Sequence, residues 1–147
     1  MPRKIVVAVD QSEESKKLLE WAAKIVLKPD DHVVAIYCIP EKAMFGFGTF
    51  LLDEYWGRIQ KEEVDQGEKV LRNMRVEAEK IGIPITTETR PGAPHQVLEE
   101  YCTMIKADLL IVGRDTMQSV RGLGGSVSAH CIANCSCPVL VARAGTY

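Results

Sequence analysis

Two stretches of the chain, Lys4–Val9 (KIVVAV) and Asp108–Val112 (DLLIV), are apolar without period-two alternation, and they stop at Asp10 and Gly113. A strand that is apolar on both faces must be covered on both faces, which is the condition of a central strand in a parallel sheet. Whatever this chain folds into must therefore provide helices above and below such a sheet. The rest of the sequence can be tested against that requirement.

After Asp10, Gln11–Glu14 opens a helix, with Ser12 the predicted N-cap and two acids in the first turn, where the helix dipole favours them. Leu18, Ala22, Ile25 and Val26 mark its inner face, with Leu19 and Trp21 at the edge, and Lys28-Pro-Asp-Asp31 stops it. A second strand runs from His32 to about Ile39 and ends at Pro40. Residues 41–50 (EKAMFGFGTF) fit neither period. Met44, Phe45 and Phe47, beside Gly46 and Gly48, read either as a hydrophobic lid on the same domain or as a flap that contacts a partner. Helical spacing resumes after Asp53 and continues to Ile81, with Val64, Leu71, Met74, Ala78 and Ile81 on one stripe. Gly67 weakens its middle by about 1 kcal/mol relative to alanine. Gly82 is the expected C-terminal cap, and Pro84 prevents continuation.

Ile85–Arg90 alternates and is rich in threonine, as a half-exposed edge strand should be. Pro94 suits the first position of the next helix, whose core face is Val97, Tyr101 and Ile105. The last stretch, Ala107–Arg143, reads as strand, loop, helix and strand. The loop closes at Gly122-Leu-Gly-Gly-Ser126, the helix runs from Ser126 to Cys135, and Val139–Ala142 follows Pro138. Five strands alternating with four helices predict an α/β fold: a five-stranded parallel sheet with helices on both faces. With strand order 3-2-1-4-5, Asp10 and Gly113 meet at the switch point, where ligands bind outside the strand C-termini.

A strand end, a glycine-bearing loop and a helix N-terminus are the parts of a phosphate site, because exposed N–H groups and the dipole attract an anion. The chain has no Gly-x4-Gly-Lys-Ser/Thr loop, and no Gly-x-Gly-x-x-Gly follows the first strand. The zinc-protease motif and the Gly-x-Ser-x-Gly elbow are also absent, and His32, His95 and His130 have no nucleophile partner at readable spacing. The residues thus point to binding, with Asp10 hydrogen-bonding a ribose or base and the 113–128 loop holding phosphates. No catalytic residue is assigned.

A length of 147 residues fits a single domain, 1–147, with a core that needs no staples. The net charge of −2 argues against a nucleic-acid partner. No stretch approaches membrane-spanning length, and the N-terminal apolar run is too short for a signal segment, so a cytoplasmic location is expected. The five cysteines fit that reducing compartment. Cys131-x3-Cys135-x-Cys137, with His130 adjacent, invites a metal reading, but no second Cys/His pair has zinc-site spacing, and no metal site is assigned. The cysteines read instead as small buried residues at a helix–strand corner.

Four places resemble the universal stress protein family. They are Ile5–Asp10 with Ser12-Glu-Glu-Ser15, the strand end Ala35-Ile-Tyr-Cys38, Ala107–Gly113, and Gly125-Ser-Val-Ser128 followed by Cys137–Val141. The resemblance covers nearly the whole chain and implies the Rossmann-like fold of the adenine nucleotide alpha hydrolases. Its ATP-binding branch carries a loop of the form Gly-x2-Gly-x9-Gly-Ser/Thr. Gly113 matches the first glycine, and Gly125 with Ser126 the closing pair. Thr116 stands where the second glycine belongs, only eight residues separate it from Gly125, and Gly122 and Gly124 are additional. The resemblance implies that Ala8, Val9, Asp10, Cys38, Val127 and Ser128 also line the nucleotide, beside Val112 and Gly113 at the strand end. Arg114 and Arg121 are placed to supply charge to phosphates. The expected ligand is ATP or AMP, with Mg2+ accompanying ATP, and the expected role is a stress-response sensor or regulator. Thr116 and the shortened loop favour the alternative, a dimeric interaction module without nucleotide. A slow ATP hydrolase is the third reading, with Asp115 the one acid beside the loop. The resemblance further implies a two-fold homodimer through the last strand, Val139, Leu140 and Val141.

Overall fold

The computed structural model describes residues 1–39, 49–114 and 127–143. Five strands, β1 (Lys4–Val9), β2 (His32–Ile39), β3 (Ile85–Pro91), β4 (Leu109–Gly113) and β5 (Val139–Ala142), alternate with four helices, α1 (Glu14–Ile25), α2 (Thr49–Lys80), α3 (Pro94–Ile105) and α4 (Val127–Asn134). The strands form one parallel sheet in the order β3-β2-β1-β4-β5. The fold class and the strand order are those the sequence predicts.

The lack of alternation in β1 has its explanation in two separate cores. Ile5, Val7 and Val9 point to one face, where Leu18, Leu19 and Ala22 of α1 and Leu71, Met74 and Ala78 of α2 cover them. Val6 and Ala8 point to the other face, under Val97, Leu98, Tyr101 and Cys102 of α3 and Val127 and Cys131 of α4. Each of the buried Val, Leu, Ile and Met side chains among them contributes about 1.5–3 kcal/mol by leaving water. β3 lies at an edge and is only half-buried, as its threonine-rich alternation implies.

Several element ends differ from the sequence expectation. α1 begins at Glu14 after Glu13, which makes no side-chain cap bond, so Ser12 is not its N-cap. Ser12 turns back to Asp10 instead. Ile25 is 68% exposed, because the buried stripe runs through Ser15, Leu18, Leu19 and Ala22 and Ile25 lies off its centre in the last turn. α2 starts at Thr49 rather than after Asp53. The loop expected over 41–50 therefore ends in helix, and its residues 41–48, with Met44, Phe45 and Phe47, lie outside the described residues. α4 ends at Asn134, one residue short of Cys135.

The α2 terminus follows the expectation. Gly82 has φ +77°, and the Gly82 and Ile83 N–H groups donate to Glu79 O and Ala78 O at 3.2 and 2.8 Å, the two bonds of a Schellman cap. At the opposite end of the sheet from the candidate site, Asp31 ties three segments together. It accepts Arg3 Nε and Nη2 at 2.8 and 2.5 Å and the Lys28 N–H at 2.8 Å. The Arg3 hydrogen bond holds the Asp31 carboxyl below its ordinary range.

Candidate functional site

β1 is the strand from which the sheet grows in both directions, pairing with β2 on one side and β4 on the other. Val7 is in register with Ile111, and two residues further on each strand come Val9 and Gly113. Asp10 and Arg114 therefore leave the sheet side by side, at the end where open parallel sheets hold their ligands. Gly113 is itself paired with Ala142 of β5, and the Arg114 N–H donates to Ala142 O at 2.7 Å.

The turn after β1 is built around one carboxylate oxygen. Asp10 Oδ1 accepts the Ser12 N–H at 2.8 Å, the Ser12 hydroxyl, and the Ser15 hydroxyl at 3.1 Å. Ser15 Oγ in turn accepts the Asp10 N–H at 2.9 Å. Ser15 is 1% exposed, on the buried side of the first turn of α1, so it joins the strand end to the helix start. It was not among the sequence-predicted site residues. Its signal is a small hydroxyl five residues after Asp10 on the helix stripe that otherwise holds apolar side chains. Beside this turn, Gln11 Nε2 donates to the Tyr37 hydroxyl at 3.1 Å. Burial raises the Tyr37 phenol above its ordinary value.

Four of the predicted residues from four different elements, Ala8, Cys38, Val112 and Val127, converge in one buried cluster. Val9 packs on the other face with Tyr37 and Leu18. Burial pushes the Cys38 thiol up to about 12, so it is a neutral wall residue rather than a nucleophile at neutral pH. Ser128 is buried in the first turn of α4, next to Val127. Arg114 is exposed just past the end of β4. Thr116, Gly125 and Ser126 lie outside the described residues, as do Asp115 and Arg121.

The cysteine corner is a packed interior. Cys102, Cys131 and Cys137 are buried and Cys135 half-buried, all as free thiols. Burial pushes the Cys131 thiol up to about 12, and it raises Cys102 and Cys135 as well. Among the described residues no group of three or more His, Cys, Asp and Glu side chains is arranged to hold a metal ion. Nor is any described helix long and apolar enough to cross a membrane. A cleft of about 420 Å³ lies elsewhere, at the N-terminal ends of the strands between Lys4, His32, Val34, Thr86, Tyr101 and Ile105. None of the predicted site residues lines it.

Comparison with known proteins accounts for this arrangement. The structure of universal stress protein UspA from Lactobacillus plantarum superposes with a TM-score of 0.78 at 22% identity, covering 96% of this chain and 97% of that one. A universal stress protein in complex with cAMP superposes at 0.69 with 23% identity, covering 95% of each chain. A family member from Arabidopsis thaliana with AMP bound superposes at 0.65 with 20% identity, over 97% of this chain and 92% of that one. In sequence, universal stress protein MJ0531 of Methanocaldococcus jannaschii is 31% identical over 142 residues, 96% of this chain and 82% of that protein. The model of the universal stress protein family matches residues 1–143. With the sheet order, the β1 and β4 ends and the sequence itself all in agreement, the chain belongs to the universal stress protein family.

Proposed function

We propose that this protein binds an adenine nucleotide, ATP or AMP, across the C-terminal ends of β1 and β4, and acts in the cytoplasm as a stress-response sensor or regulator. We take residues 1–147 as one domain of the family, working as a homodimer through β5. The observation that carries the reading is the register placing Asp10 and Gly113–Arg114 side by side at the switch point. Family members that carry AMP and cAMP support the ligand class.

In this reading the buried cluster of Ala8, Cys38, Val112 and Val127 forms the apolar floor against which the base lies. Backbone groups of Ala8, Val9 and Cys38 define its edge. Asp10, held in its turn by Ser12 and Ser15, meets the ribose or base. Gly113, Arg114, Thr116, Gly125, Ser126 and Ser128 surround the phosphates, with the dipole of α4 behind them. Mg2+ would enter with ATP and offset phosphate charge, and no side chain of this chain is assigned to hold it. The chain's own part is binding and orientation, with no group assigned to bond cleavage.

The second reading, an interaction module that binds no nucleotide, is favoured by Thr116 in place of the second loop glycine and by the shortened spacing from Thr116 to Gly125. Calorimetric titration with ATP and with AMP, with and without magnesium, on wild-type protein and Gly125→Val decides between them. Saturable binding that Gly125→Val abolishes is the expected result. Absence of heat and of any thermal shift at millimolar nucleotide would establish the second reading.

A further inference from the structure

The face of the sheet under α3 and α4 is covered unevenly. Their core takes side chains from β1, β2 and β4 and none from β3, so among the described residues the β3 corner of that face lies beside the helices rather than beneath them. The cleft of about 420 Å³ at the N-terminal ends of the strands occupies this corner. Val34, Pro84 and Ile105 give it apolar walls, and Val34 and Ile105 are half-buried against the core behind them. A cleft of this volume with a mainly apolar lining and a few polar groups is of the kind that holds small molecules.

Two polar groups in the lining have donors to spare. Tyr101 is 8% exposed, yet its hydroxyl has no hydrogen-bond partner among the described residues. Burial raises this phenol above its ordinary value, so it is a neutral donor at neutral pH. Its ring is held in place by the Arg90 guanidinium, 5.4 Å from the ring centroid, and Arg90 Nε stands 2.9 Å from Glu88 Oε1. The second group is Lys4, whose Nζ donates to Ile105 O at 3.1 Å and forms no ion pair among the described residues. An ammonium has three donors, and only one is used. The acid in the lining, Asp31, is already matched by Arg3. Tyr101 and Ile105 lie one turn apart on the same face of α3, so both donors enter the cleft from the same wall.

We propose that this cleft is a ligand site in its own right and takes a small amphipathic carboxylate. The apolar body lies against Val34, Pro84 and Ile105, and the carboxylate meets the Lys4 ammonium, with the Tyr101 hydroxyl as a second donor. The ligand class follows from the lining. Apolar walls favour a hydrocarbon body, which gains by leaving water. A cation that lacks an ion pair favours an anionic head over a neutral or cationic one, through a charge-assisted hydrogen bond. A carboxylate carries the single charge that one lysine balances, whereas much of a phosphate's second charge would go unmatched. The cleft lies at the opposite end of the sheet from the β1 and β4 termini, so the inference does not depend on the nucleotide reading.

The test is a titration of isotope-labelled protein with decanoate, followed by the amide signals, with decanol as the neutral control. The signals of Val34, Thr86, Tyr101 and Ile105 should shift saturably while those of Asp10 and Gly113 stay in place. Thr86 is exposed on β3 beside the cleft, so Thr86→Tyr fills the space at little cost to the strand and should abolish binding. Lys4→Met keeps the apolar stem and leaves Ile105 O to water, because that bond is exposed. It should weaken decanoate about tenfold and leave decanol unchanged. Tyr101→Phe removes the hydroxyl alone and should weaken decanoate about fivefold, and it serves if thermal melting shows that another variant fails to fold. Absence of saturable shifts at millimolar decanoate, or shifts that fall outside the cleft, would overturn the inference. Equal affinity for decanoate and decanol overturns the anionic head group, and undiminished binding in Thr86→Tyr overturns the site.

Discussion

At the scale of single residues, Gly67 shows how packing reverses a sequence rule. In the middle of α2 a glycine costs about 1 kcal/mol of helix stability relative to alanine, so Gly67→Ala would stabilise an isolated helix. In the protein, a Cβ at Gly67 would lie 2.7 Å from Tyr37 Cδ1 and 2.8 Å from Cε1. Tyr37 cannot give way cheaply, because its ring is 4% exposed under α2 and its hydroxyl accepts from Gln11 beside the site. Overpacking of this kind typically costs about 1–3 kcal/mol and outweighs the propensity gain. Gly67→Ala should therefore lower the midpoint of urea unfolding, and a rise would show that α2 can move off the sheet. The sequence revealed the cost of this glycine and hid its reason, because the reason lies on a strand 30 residues away.

At the scale of elements, the strands and the central turns of the helices were legible because burial on two faces leaves a strong pattern. Helix ends were less so. Ser12 has the chemistry of an N-cap, yet the neighbouring Asp10 carboxylate captures both its N–H and its hydroxyl, and α1 starts two residues later. The C-terminus of α3 was illegible for a different reason. Its αL cap, with φ +55°, is Lys106, where a glycine would have announced the stop. The Lys106 and Ala107 N–H groups donate to Thr103 O and Cys102 O at 3.2 and 2.9 Å, so the cap is a Schellman motif in full. A side chain in αL costs roughly 1 kcal/mol that glycine avoids. Lys106→Gly should raise stability by about 0.5–1 kcal/mol, partly offset by the entropy of glycine in the unfolded chain. That corresponds to a melting rise of about 1–4 °C for a domain of this size. A fall would mean that the Lys106 side chain makes contacts that outweigh the backbone strain.

For the whole molecule, the remaining question is what covers the far edge of the sheet. The Leu110 N–H donates to Pro138 O and the Arg114 N–H to Ala142 O, so the even-numbered residues of β5 turn their backbone toward β4. Val139 and Val141 alternate with them and turn theirs outward. Val139, Leu140 and Val141 are all half-buried, and Ile132 on the adjacent α4 is 63% exposed. An apolar strand with outward N–H and C=O groups is a template for another strand, and an uncovered one is a liability. A second copy related by a two-fold axis would satisfy the same backbone groups on both chains at once. The wild-type protein should thus elute as a dimer at micromolar concentration, with its mass confirmed by light scattering. Val141→Pro removes one outward N–H and should shift the protein to monomer, whereas Val141→Thr keeps the donor and the branched shape and should leave the dimer intact. A monomeric wild-type protein, or a Val141→Pro variant that stays dimeric, would place the interface elsewhere. β4 and α4, the two elements that flank β5, also carry residues of the proposed nucleotide site, so that site and the proposed dimer edge share a scaffold. Repeating the light-scattering measurement with saturating ATP shows whether the two are energetically coupled.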